Sequence, residues 1–278
     1  MQSIGIVVPT TPEQEPLLEL LAEMTGCKSE VVEQSIWRIQ RVQMEGLRIS
    51  IIRSGPGMVN AGAATEALIL SEQPQAIINY GIAGAHTYEA LPGDVIIATQ
   101  VCAPFNGYLQ TGGILNPAFG IRWDDEAAEV YSQRVTQRFS HLPCDSTLLS
   151  LALQAAQVLL EQHTLTIVAP AGQKVRPARI FSGVIASADT WCQDEATFAR
   201  IHDTFGSLCE DMESAAVGQV ATRHGLPFAV IRCLSNNDLL EVQTLERKRM
   251  IYPEMTRRSA FVTARLLHLL STKSYKNT

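Results

Sequence analysis

Two short stretches near the end of the chain carry its densest group of reactive side chains. "EDMES" at 210–214 sets three carboxylates around Met212, and "RCLSNND" at 232–238 ends an apolar run in a serine, two asparagines and an aspartate. Glu213 stands where an alanine-rich helix pattern begins, so its carboxylate could serve the positive end of that helix, worth roughly 0.3–1 kcal/mol. That accounts for one acid. It leaves Glu210 and Asp211 beside it, where repulsion raises pKa values unless the side chains face apart. An ionised carboxylate here can instead accept hydrogen bonds from a polyhydroxyl ligand such as ribose. Arg232 lies inside the otherwise apolar "FAVIRCL". A buried guanidinium needs an anionic partner, and Glu213 or Glu15 can supply it.

These residues need a frame. Two glycine stretches fall where strands end, "SGPGMVNAG" (54–62) and "YGIAGA" (80–85). Neither is the dinucleotide fingerprint nor a P-loop. Taken singly each reads as a tight turn with close helix–sheet packing. Together they can bring backbone N–H groups to a small ligand at the carboxyl ends of strands. Around them, short apolar runs alternate with helix-like patterns. Strands are expected at 4–8, 37–43, 47–53, 76–80, 94–101, 180–187 and 227–235, with a turn at Glu45-Gly46. Helices are expected at 15–24, 58–71, 147–163 and 213–225, and over 242–271 with a break near Pro253. This order predicts one α/β domain over 1–278, with a central mixed, mostly parallel sheet flanked by helices. Residues 103–124, rich in Gly, Pro and Asn, read as a long loop.

Composition narrows the class. The chain has 278 residues, is 46% hydrophobic and 18% charged, and carries a net charge of −6 without a Lys/Arg run. That suits a large buried core and disfavours nucleic acid as a partner. Its longest apolar stretches stop well short of the roughly 18 residues of a membrane span, and "MQSIGIVVPT" reads as a first strand rather than a leader, so a cytoplasmic protein is expected. The six cysteines form no CxxC pair and the six histidines show no ligand spacing. Free thiols are therefore expected, with no metal and no cofactor.

In order along the chain, "IGIVVPTTPEQEP", "SGPGMVNAGAAT", "INYGIAGA" with "LPGDVIIA", "SGVIASADTW" and "EDMESAAVGQVATRHGLPFAVIRCLSNN" resemble the purine nucleoside phosphorylase superfamily. They look most like its hydrolytic branch, the methylthioadenosine/S-adenosylhomocysteine nucleosidases and futalosine hydrolases. The resemblance covers about residues 3–270 and implies a three-layer α/β/α fold, cleavage of the N-glycosidic bond of a purine nucleoside, and a homodimer. The 58–71 and 103–121 segments are candidates for that interface.

Residue by residue, Glu15 matches the acid that helps activate water, with Pro16 at an early helical position. Glu213 matches the glutamate that holds the ribose hydroxyls, with Met212 beneath the sugar. Arg232 matches a residue that orients the water and the glutamate. Trp191 matches the aromatic position that stacks on the base, although a tryptophan is equally suited to core packing. Cys192 would present backbone groups to the base edge, and Asp189 matches a position tied to local structure nearby. Pro56 and the turn Ile82-Ala83-Gly84 complete the substrate-binding set. Tyr108, Phe119 and Met250 are candidates for the pocket around the 5′ substituent.

Adenine-specific relatives carry an aspartic acid where this chain has Asn236. An amide is no general acid at neutral pH, but its NH₂ can donate to N7 and O6 of a 6-oxopurine. The substitution therefore points to futalosine, inosine or guanosine. A one-residue slip would instead bring Asp238 to the base. Ile82 stands where the phosphorylases need a small hydroxyl residue, and the first strand lacks their Gly-Asp-Pro wording and nearby arginine, so water is the expected nucleophile. Two alternatives stay open: a methylthioadenosine/S-adenosylhomocysteine nucleosidase with an altered acid, and a catalytically weak nucleoside-binding or storage protein.

Overall fold

The computed structural model describes residues 2–26, 28–116, 120–124, 136–170 and 172–272. The first strand, β1 (Gln2–Val8), runs into helix α1 (Thr11–Thr25). An antiparallel run of β2 (Glu30–Gln34), β3 (Trp37–Met44) and β4 (Leu47–Arg53) follows, with Gly46 at the β3–β4 turn in the left-handed region (φ 72°). Helix α2 (Met58–Glu72), β5 (Ala76–Ala85) and β6 (Val95–Cys102) come next. The expected long loop holds a short hairpin, β7 (Tyr108–Gln110) with β8 (Ile114–Asn116), and then β9 (Ile121–Asp124), which pairs with β10 (Thr136–Phe139). Then come β11 (Leu142–Pro143), α3 (Ser146–Gln162), β12 (Ile180–Ser187) and α4 (Glu195–Phe205). The chain closes with β13 (Ser207–Asp211), α5 (Ser214–Arg223), β14 (Phe228–Asn236) and α6 (Leu245–Thr272).

The main sheet is mixed and runs β11-β6-β12-β13-β5-β1-β4-β3-β2, with β14 pairing both β5 and β6. The pairings β14–β5, β5–β13, β13–β12, β12–β6 and β6–β14 close on themselves into a ring of five strands. Alternate residues of these strands enter two cores, one on each face. Ile4, Ile6 and Val8 of β1, Ile78 and Tyr80 of β5, and Ile231 and Cys233 of β14 pack with α1, α3 and α6. Val7, Ile77, Val230 and Leu234 pack on the other face with α2 and α5. Burial on both faces explains why these strands read as near-continuous apolar runs rather than alternating ones. Three layers with a mixed sheet in the middle are the architecture expected from sequence.

Four local differences matter. Helix α1 begins at Thr11, not near residue 15, so Pro12 takes the early helical position and Pro16 lies inside the helix. Strand β13 and helix α4 were not foreseen, because "SLCED" shows only one apolar step before its two acids. Helix α6 passes through Pro253 without a break. The expected 213–225 helix starts one residue later, with Glu213 at the position before its first turn and making no side-chain capping bond. Cys27 and Phe119 lie outside the described residues. No described helix is long and apolar enough to cross a membrane.

Candidate active site

A cavity of about 450 Å³ opens where the carboxyl ends of β1, β5, β12, β13 and β14 meet. This is the place where ligands of open α/β sheets bind, and its size suits a small organic molecule. Its wall includes Glu13, Met212 and Glu213, the Ile82–Gly84 turn, Pro56, Trp191, Glu210, Asp211 and Asn236, and Tyr252 and Thr256 from α6.

Glu15 is not among these residues. It is exposed on α1, while Glu13, one-half turn away, is buried at 4% exposure and faces the cavity. The cause is the helix start: residues two apart on a helix point about 200° apart, so beginning α1 at Thr11 turns Glu13 inward and Glu15 outward. Glu13 Oε1 accepts the Ile82 N–H at 3.0 Å, and its Oε2 accepts the Thr10 hydroxyl at 2.5 Å. Tyr80 pins the same turn by donating to the Glu13 carbonyl (2.7 Å). Burial raises the Glu13 pKa, opposed by the Thr10 and Ile82 hydrogen bonds and by the charge of Arg232. A Cβ on Gly81 would lie 2.5 Å from Glu13 Oε1, so any larger residue there would push the carboxylate from this position.

Glu213 enters the cavity from the start of α5 but does not cap its own helix. Its Oε1 accepts the Gly57 N–H (3.1 Å), tying α5 to the start of α2. Burial, then the charge of Asp211, raises its pKa to about 7, with Arg232 and the Gly57 N–H opposing. Asp189 does not line the cavity. It is exposed and accepts the Met58 N–H (2.7 Å), closing the N-terminus of α2 beside Gly57.

Arg232 is fully buried behind the cavity and does not line it. Its main partner is neither Glu213 nor Glu15. Nε donates to Asp211 Oδ2 (2.9 Å), and Nη2 donates to Asn79 Oδ1 and Ser214 Oγ; Glu213 Oε2 is 3.8 Å from Nη2. Asp211 is the hub, taking Ser187 Oγ (2.6 Å) and the Glu213 and Ser214 N–H groups on its other oxygen. Glu210 and Asp211 do face apart, as successive strand residues must. Glu210 accepts the Cys192 N–H (3.1 Å) instead. Cys192 itself is buried, and its N–H is thus already engaged; the side chain does not line the cavity.

Asn236, not Asp238, lines the cavity. A bulge at Ser235 shifts the β14 register so that Asn236 pairs with Gly84. Ser235 Oγ sits 2.8 Å from Asn236 Oδ1 and 3.2 Å from the Ala83 carbonyl, which sets the amide oxygen beside Ser235 and leaves the NH₂ as the donor available to a ligand. Asp238 lies one step back and accepts the Trp191 indole N–H (3.0 Å) and Gln193 Nε2 (3.2 Å). Trp191, 47% exposed, is therefore a held ring at the cavity wall rather than core packing. Tyr108 and Met250 are exposed and line no part of the cavity, whereas Tyr252 and Thr256 do. Burial raises the Tyr252 pKa, with the charges of Asp238 and Glu13 adding and a Ser235 hydrogen bond opposing. Glu13, Glu210, Tyr252 and Thr256 are among the wall residues that the sequence analysis did not place in the site. Only the helix start at "TTPEQEP" could have signalled the first.

Comparison with known proteins agrees with this geometry. Residues 3–268 match the model of the phosphorylase superfamily. A 5′-methylthioadenosine/S-adenosylhomocysteine nucleosidase from Shewanella loihica is 30% identical over 237 residues, covering 84% of this chain and 86% of that protein. One from Halalkalibacterium halodurans is 29% identical over 240 residues, covering 85% and 86%. Among solved structures, futalosine hydrolase of Helicobacter pylori superposes with a TM-score of 0.73 at 21% identity, covering 97% of this chain and 98% of that one. The fold, the cavity at the strand ends and the family match over nearly the whole length lead to one conclusion: this chain belongs to the phosphorylase superfamily.

Proposed function

We propose that the protein hydrolyses the N-glycosidic bond of a purine nucleoside, with a 6-oxopurine nucleoside such as futalosine as its substrate. The observation that carries this reading is the cavity wall. Among the described residues it holds four carboxylates, Glu13, Glu210, Asp211 and Glu213, and no lysine or arginine. A phosphate dianion would find no cationic side chain among these lining residues, whereas water can attack. Glu213 accepts hydrogen bonds from the ribose hydroxyls over Met212. Glu13, held by Ile82 and Thr10, takes a proton from the attacking water as the sugar gains oxocarbenium character. Arg232 positions Glu213 through Asp211, which accepts the Glu213 N–H, and acts on Glu13 through its charge, without touching substrate. The Asn236 NH₂ donates to N7 and O6 of the leaving base, which departs as its anion and takes its proton from solvent, while Glu13 returns the proton it accepted to solvent.

The curated relatives support a second substrate, because those quoted are methylthioadenosine/S-adenosylhomocysteine nucleosidases. Base release measured by chromatography from futalosine, inosine and methylthioadenosine, each with and without phosphate, separates the two. Phosphate-independent hypoxanthine release is expected. Adenine release from methylthioadenosine alone would overturn the 6-oxopurine assignment, and a phosphate requirement would overturn hydrolysis. A homodimer belongs to the same reading: Val59 (79% exposed) and Leu70 (66% exposed) on α2 give it an apolar surface, and sedimentation at one or two chain masses decides it.

A further inference from the structure

A smaller cavity, about 210 Å³, opens between the start of α1, the β2–β3 turn and the end of β4. Successive residues of a helix point about 100° apart, so the helix start that turns Glu13 into the active cavity turns Gln14 into this second one. Gln14 is buried at 6% exposure, yet its side-chain amide meets no partner among the described residues. A buried amide left unpaired is costly, and the cavity that it lines is where a partner can reach it.

The charge of the wall has one sign. Arg38 and Arg53 stand in it, with no aspartate or glutamate. Arg53 gives one of its N–H groups to Thr11 Oγ (2.7 Å) and has no further partner among the described residues. Its other donors are free for an anion. Arg38 meets only Glu33, 3.7 Å away, and both of those side chains are exposed, a pairing that holds a guanidinium weakly. Gln40 turns its Oε1 to the Ser29 hydroxyl (2.8 Å), which leaves its NH₂ as a donor. Two guanidiniums and two amides therefore converge on one space. Trp37 and Ile36, the latter 82% exposed at the β2–β3 turn, add an apolar rim.

We propose that this cavity binds the phosphate group of a small molecule, at a site separate from the active cavity. Guanidinium forks take phosphate oxygens two at a time. Gln14 and Gln40 supply neutral donors for the rest, and the rim at Ile36 and Trp37 gives an organic portion apolar surface to lie against. A carboxylate, with two oxygens, would leave some of these donors idle. The site also has a route to the chemistry. Arg53 holds Thr11, the first residue of α1, and the Thr10 hydroxyl beside it donates to Glu13. An occupant that engages Arg53 acts on the same turn that holds Glu13.

Calorimetric titration of the full chain with inorganic phosphate and with ribose 5-phosphate tests this, at constant ionic strength because exposed charges are screened by salt. Saturable one-to-one binding with a Kd of about 1 mM or below is expected for at least one of them, and excess hypoxanthine should leave phosphate binding unchanged. Arg38→Gln and Arg53→Gln should each weaken it by about tenfold, and Gln14→Leu, which keeps the buried stem, by about threefold. Tighter binding of the sugar phosphate assigns the cavity to a phosphate monoester, and equal binding assigns it to free phosphate; both support the proposal. No saturable heat from either probe overturns it. So does binding that survives intact when Arg38→Gln and Arg53→Gln are combined. Phosphate displaced by hypoxanthine overturns it as well, and the hydrolytic reading falls with it, because the anion would then lie in the active cavity. Ribose 1-phosphate formed equally by wild type and Arg38→Gln would overturn hydrolysis alone, since the titration decides this cavity independently.

Discussion

Glu13 rather than Glu15 lines the cavity, so under the proposed reaction the catalytic acid sits two residues earlier on α1. Glu13→Gln is expected to lower turnover by roughly 10²–10⁴, the range of a lost general base, with substrate affinity little changed, whereas Glu15→Gln should stay within about twofold. Steady-state kinetics on both variants check this. Glu213 gives a pH signature. Its pKa of about 7 lies above the ordinary 4.5, so the folded protein keeps a proton that the unfolded chain releases across that window. Stability therefore falls as pH rises from about 4.5 to 7, by up to about 3 kcal/mol, and a melting series in Glu213→Gln should lose that slope. In the proposed reaction the ionised form accepts the ribose hydroxyls, so kcat/KM should climb through pH 7 in the wild type. Asn236→Asp should move preference towards adenine nucleosides, and an unchanged preference would sink the reading of the amide. Residue type points to Glu213, whereas the family resemblance picks out Met212, Asn236 and Trp191; all four line the cavity. Glu13 was not legible, since choosing between two acids requires the helix phase, and "TTPEQEP" offers two prolines as equally good starts.

At the level of elements, the site depends on how closely strands and helices approach. Gly81 lets α1 bring Glu13 against β5, and Gly81→Ala would put a methyl 2.5 Å from its carboxylate. Turnover should fall at least tenfold while the protein still melts cooperatively, read by kinetics and thermal unfolding side by side. The strands were largely legible from their apolar runs, because burial on two faces leaves little room for polar residues. The unforeseen elements are those whose sequence serves something else. Strand β13 ends in acids because Asp211 must meet Arg232 and Glu210 must meet Cys192. Helix α4 buries only Phe198, Ile201 and Phe205, too few apolar positions to stand out. The partner of Arg232 also lay beyond sequence reasoning, since Asp211 and Glu213 are both close in the chain and only the β13–α5 turn decides between them.

For the whole molecule, the ring of five strands has a consequence in time rather than in space. Strand β14 is buried at every residue and bonded on both sides, to β5 and to β6. It has no free edge from which to fray. Its amides should therefore exchange with deuterium only when the entire chain opens, and Arg232 and Asn236 ride on it. Heat should thus remove activity and structure at the same temperature and the same rate, with no window in which a folded but inactive protein accumulates.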